Sequence, residues 1–107
     1  MSTFDKREEG FESKFAHDEE LRFKARARSN KLIGLWAAEK LGLAVAAAET
    51  YATNIVAADL DKPNRDSVFS KLRKDFDENG VTQSDHQIRR TMEEAMAKAV
   101  AEIQTGR

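Results

Sequence analysis

Asp75, Asp77, Asn79 and Gly80, in the stretch DFDENGVTQSDH at residues 75 to 86, match the first half of the calcium-loop pattern D-x-[DN]-x-[DN]-G. Alternating side-chain oxygens of this kind can wrap a hard cation, and a glycine at the sixth place allows the sharp turn. The second half of the pattern fails. A calcium loop closes with a bidentate carboxylate at its twelfth position, which here is His86, and Thr82 occupies the place of the usual apolar eighth residue. The stretch reads instead as one helix ending at Gly80 and another starting near Ser84, with no metal site.

The two histidines, His17 and His86, each stand beside acidic residues at an expected helix start, without a second histidine at ligand spacing. No nucleophile elbow, phosphate loop or isolated acid pair in an apolar setting is present, so no catalytic residue and no enzyme activity is expected. The cations Arg22, Lys24, Arg26, Arg28 and Lys31 could meet phosphates, yet they alternate with Phe23, Ala25 and Ala27 and so spread over more than one helix face. A salt-bridged surface fits them better than a nucleic-acid stripe. Met92 and Met96 fall on an otherwise apolar face and read as core.

Composition narrows the classes further. A chain of 107 residues with 35% charged and 40% hydrophobic residues is about one globular domain. A net charge of -1 argues against a dedicated nucleic-acid binder. Without cysteine there is no disulfide framework, thiol chemistry or Cys-ligated zinc. No apolar run has the length of a membrane span and no secretory signal is evident, so no cofactor, no membrane insertion and a cytoplasmic location are expected.

These residues must be carried by helices, because apolar positions recur at helical spacing from about residue 18 to 104 and no strand pattern competes. The first helix opens with Asp18, Glu19 and Glu20, pairs Asp18 with Arg22 and Glu20 with Lys24 at i,i+4, and carries Leu21, Ala25, Leu32, Ile33, Leu35 and Trp36. It should stop at Gly42. Val45, Ala48, Ala52, Ile55 and Val56 mark a second helix packed through small side chains, interrupted at Pro63, the chain's one proline. Val68, Phe69, Leu72 and Phe76 mark a third, ending at Asn79-Gly80. Ser84 and Gln87 form a capping-box pattern ahead of a fourth helix with Ile88, Met92, Ala95, Met96, Ala99, Val100 and Ile103. The expected fold is all-α: a four-helix bundle over residues 18 to 107, preceded by a mobile, mostly disordered N-terminal arm at residues 1 to 17.

In that arm, Phe4, Phe11 and Phe15 fall within about 40° of one another on a helix, amid Asp5, Lys6, Arg7, Glu8, Glu9, Glu12 and Lys14. Burying three such rings contributes roughly 5 to 9 kcal/mol, whereas fixing the backbone of some fifteen residues costs about 1 to 2 kcal/mol each. The rings alone therefore do not order the segment, and Gly10 weakens a helix there by up to about 1 kcal/mol. A segment of this kind folds on a partner. The bland alternatives are a frayed terminus or a helix folded back on the bundle.

The block FDKREEGFESKFAHDEELRFKARARSNKLIGLWAAEKLG, residues 4 to 42, strongly resembles the ζ subunit family of alphaproteobacterial F-type ATP synthases, with KFAHDEEL and KLIGLWAAEKLG its most distinctive parts. The resemblance continues through the remaining helices. It implies a regulatory subunit that inhibits ATP hydrolysis, its arm folding to a helix inside an α/β catalytic interface and touching the central stalk. On this sequence it implies Phe4, Phe11 and Phe15 as apolar anchors and Arg7, Glu8, Glu12 and Lys14 as polar contacts. The implied partners are the α and β subunits and the central stalk, at the periphery of the membrane-bound synthase. The chain departs from the family's pattern at Gly10, where alanine is usual. The rival functions are a helical adaptor whose arm binds another protein, with weak or lost ATPase inhibition, and a weak nucleotide or phosphate binder through the basic run.

Overall fold

A computed structural model describes residues 18–61 and 64–105. Among them are four α-helices and no strand: α1 Glu19–Lys40, α2 Val45–Asp61, α3 Arg65–Glu78 and α4 Asp85–Gln104. The all-α expectation holds, and the element boundaries follow from local chemistry. Asp18 caps α1 by accepting from the Leu21 N–H at 3.1 Å, with Glu19 and Glu20 in the first turn where the helix dipole favours acids. Because the Asp18 side chain is engaged in this cap, it does not make the ion pair with Arg22 that the spacing suggested, while Glu20 and Lys24 do meet at 3.2 Å.

Gly42 and Gly80 end α1 and α3 in the same way. Each takes a left-handed φ, 74° and 68°, that a side chain would resist. At the first, Leu43 N–H donates to Ala38 O and Gly42 N–H to Glu39 O; at the second, Val81 N–H donates to Phe76 O and Gly80 N–H to Asp77 O. These are two Schellman closures, and Val81 then packs on the core that contains Phe76. The capping box is complete: Ser84 Oγ accepts from Gln87 N–H at 3.1 Å and Gln87 Oε1 accepts from Ser84 N–H at 3.0 Å.

All four helices feed one core of Ile33, Ala37, Ile55, Val68, Leu72, Phe76, Ile88, Met92 and Ala95. Fully burying a side chain such as Ile33, Leu72 or Phe76 contributes about 1.5 to 3 kcal/mol. Trp36 meets the edge of Phe76 with ring centroids 5.6 Å apart and planes at 78°, joining α1 to α3. Helix α1 packs along both α2 and α4. It therefore buries a broader face than a single stripe: Ala25, Ser29, Asn30, Ile33, Gly34, Ala37 and Ala38. Leu21, Leu32, Leu35 and Trp36, the larger apolar residues of its expected stripe, are only partly buried. At Gly34 a Cβ would stand 2.7 Å from Ala52 Cα, so the two backbones approach as closely as they do because neither carries a larger residue. Val45 departs from the expected α2 face: as the helix's first residue it is 83% exposed, a turn before the packing begins at Ala48 and Ala52.

Candidate functional site

All seven residues expected to bind the partner, Phe4, Arg7, Glu8, Phe11, Glu12, Lys14 and Phe15, lie outside the described residues, as does His17. The structure does define what they lead into. The chain enters at Asp18, in extended conformation, and passes directly into α1. One turn on, Phe23 is 56% exposed, and Leu60 on α2 is 50% exposed. From Phe23 runs a groove of about 770 Å³ lined by Phe23, Ala27, Val56 and Ile103, with Lys24, Arg28 and Lys31 among its polar residues. A second hollow shares Phe23, Ala27 and Val56 and adds Arg22, Asp59 and Leu60. The bundle thus has apolar surface near the start of α1, where residues 1–17 lead in.

The basic run is distributed over ion pairs. Lys31 meets Glu49 at 3.0 Å, Arg28 meets Glu102 at 3.8 Å, and Lys24 is paired with Glu20. Arg26 is the exception in depth. Its Nη2 donates to Asp59 Oδ1 at 2.9 Å and its Nε to the other carboxylate oxygen, a bidentate contact with a residue only 2% exposed. Asn30 Nδ2 also donates to Asp59, at 2.6 Å, and so does the Asn64 N–H, at 3.1 Å. Burial alone would raise the Asp59 carboxyl, but the hydrogen bonds from Arg26, Asn64 and Asn30 outweigh it and hold it below its ordinary value. The hydrogen bond to Asp59 raises the Arg26 guanidinium against the opposing effect of burial. This cluster ties α1, α2 and the start of α3 together, and it satisfies every oxygen it buries. It is a structural lock and offers no free group for chemistry.

The calcium-loop candidates sit in the last turns of α3. Asp75 accepts from the Tyr51 hydroxyl at 2.6 Å and from Lys71 at 3.0 Å. Asp77 receives Arg73 Nη2 at 2.8 Å, while Arg73 Nη1 reaches Asp85 and Gln83 O across the turn. Among the described residues no three His, Asp or Glu side chains converge in a way that could hold a metal ion. His86 is exposed near the start of α4. Sequence reasoning found neither Asp59 nor Asn30, whose partners lie 29 and 33 positions apart in the chain.

A small helical domain whose buried Arg26–Asp59 pair is internally satisfied, with the Ser29 hydroxyl the one buried side-chain oxygen left without a hydrogen bond among the described residues, and with apolar surface beside the entry of an N-terminal segment, has the form of a regulatory binding protein. The chain belongs to the ATPase inhibitor subunit zeta family, whose sequence model matches residues 1–102. The match includes the arm as well as nearly the whole bundle. Membership supports an ATPase inhibitor role and implies a regulatory protein without catalysis of its own. None of the curated proteins matches the chain. Among the described residues no helix is long and apolar enough to cross a membrane.

Proposed function

We propose that the protein restrains ATP hydrolysis by an F-type ATP synthase, with residues 1–17 as the inhibitory arm and residues 18–107 as a helical body that carries it. The arm enters an α/β catalytic interface as a helix, Phe4, Phe11 and Phe15 seated against apolar surface and Arg7, Glu8, Glu12 and Lys14 in polar contact with the α and β subunits and the central stalk. An interface so wedged does not pass through the opening and closing that hydrolysis requires. The protein acts from the cytoplasmic side, held at the membrane only through the synthase.

The observation that carries this reading is the reach of the family match, which begins at residue 1 and so takes in the phenylalanine stripe. The direct passage of the chain from the arm into α1 supports it, because a rigid 22-residue helix, about 33 Å long, gives the arm a stiff base. The test is ATP hydrolysis by the activated catalytic head, titrated with the intact protein and with Phe11→Ser/Phe15→Ser. Inhibition by the intact chain and its loss in the variant are expected. Equal inhibition by both would remove the arm from the mechanism, and none from either would remove the function.

A further inference from the structure

The groove on the bundle is apolar where its walls meet and basic along its rim, and it begins where the chain leaves for the arm. From Phe23 to Lys31 it follows α1 for about 12 Å. Residues 16 to 18 can span roughly 10 Å when extended, enough for Phe15 to reach Phe23 if the arm turns back along α1. Phe11, one helical turn further from the junction, then falls beside Ala27, Val56 and Ile103. The arm carries four carboxylates, Asp5, Glu8, Glu9 and Glu12, against three cations, Lys6, Arg7 and Lys14, so its attraction to Lys24, Arg28 and Lys31, whose side chains are 57%, 36% and 42% exposed, is weak. The three cations of the groove already have glutamate partners in Glu20, Glu102 and Glu49, so the added attraction guides the arm more than it fixes it.

We propose that the arm's own Phe11 and Phe15 dock in this groove between α1, the second half of α2 and the end of α4, withdrawing the arm from its target. Tethering favours this occupant: a segment joined one turn from the groove is present there at an effective concentration in the millimolar range, which a free partner seldom matches. Burying two rings contributes roughly 3 to 6 kcal/mol, less than the cost of ordering the whole arm, so docking is confined to the stretch around Phe11 and Phe15 and is readily released. The docking stands on the groove and the tether alone. Its regulatory consequence rests on the inhibitor reading given above.

The chain has no cysteine, so Ser2→Cys provides a single attachment point for a nitroxide spin label in the full-length protein. Broadening of the Lys31 and Thr53 amide signals in the labelled chain is expected, with its loss in Phe11→Ser/Phe15→Ser and in Phe23→Ser. Phe23 is exposed enough that its replacement leaves the core intact. Equal broadening in all three proteins, or broadening only when labelled and isotope-enriched chains are mixed, would overturn the intramolecular contact. In the hydrolysis assay an arm docked about half the time raises the inhibitor concentration required about twofold, and Phe23→Ser should recover that factor. Unchanged inhibition by Phe23→Ser would overturn the regulatory consequence. If the intact protein inhibits nothing, the inhibitor reading fails while the broadening still decides the docking.

Discussion

Arg26 on α1 and Asp59 on α2 stand 33 positions apart in the chain and form a bidentate contact, the carboxylate wholly enclosed and the guanidinium reaching partly to solvent. Asp59→Ala leaves Arg26 and Asn30 facing an uncompensated space. Loss of about 2 to 4 kcal/mol is expected, at the lower part of the range for buried pairs because Arg26 can turn toward water. Urea denaturation midpoints of the two proteins measure it.

The same carboxylate gives acid sensitivity of a defined sign. Its folded-state pKa is depressed, so its contribution is fully present above the unfolded value of about 3.9 and is lost as pH falls through the lower, folded value. Stability measured from neutrality down should therefore decline below about pH 4. Asp59→Asn, which lacks the titrating group, should be less stable at neutrality and show a shallower decline over that interval.

Tyr51, the only tyrosine in the chain, gives a titration signal that nothing else obscures. Burial raises its hydroxyl well above the ordinary value, and the hydrogen bond it donates to Asp75, with that carboxylate's charge, raises it further. Tyrosinate absorbance should stay absent at pH values where a free tyrosine, near 10, is half ionised. Since the folded pKa is the higher one, this contribution is complete below about pH 10 and is lost as pH rises further. Asp75→Ala should bring the transition part of the way down; an unaltered transition would leave burial as the sole cause.

Gly34→Ala tests the closeness of α1 and α2. The added methyl would meet Ala52 backbone at 2.7 Å, where no flexible side chain can give way. The helices must separate, and a cost of about 1 to 3 kcal/mol is expected. By contrast Gly80→Ala meets open space and is costly through its φ of 68° alone, at about 1 to 2 kcal/mol. Thermal unfolding of both variants compares a packing penalty with a backbone penalty.

What the sequence makes legible here is chemistry local in the chain. Gly42, Gly80, Ser84 and Gln87 act over three to five residues, and each does what its spacing implies. Ile88, Met92, Ala95 and Ala99 form the buried stripe of α4 because that helix shows a single face to its neighbours. Helix α1 lies between two neighbours, so its buried set includes Ser29, Asn30 and Gly34, which no apolar periodicity would select. Asp59 reads as a surface acid until Arg26 is known to stand opposite. The stripe of Phe4, Phe11 and Phe15 lies outside the described residues, and the groove on the bundle was not legible in the sequence. The groove arises from α1, α2 and α4 meeting, and from Phe23 remaining exposed at its edge.

The Asp18 cap sets how a helix in the arm would begin. Starting a helix from coil requires several residues to be fixed for the first hydrogen bond, the unfavourable nucleation step that limits short segments. Here α1 is already formed at Glu19, and only the backbone of Asp18, at ψ 102°, and its cap on Leu21 stand between that helix and the residues before it. Helical growth into the arm would then be elongation from an existing end, residue by residue, with the cap as its latch. On the arm-insertion reading proposed above, Asp18→Ala, which removes the latch, should bring on inhibition of ATP hydrolysis faster than the unaltered protein, as the time course of inhibition measures.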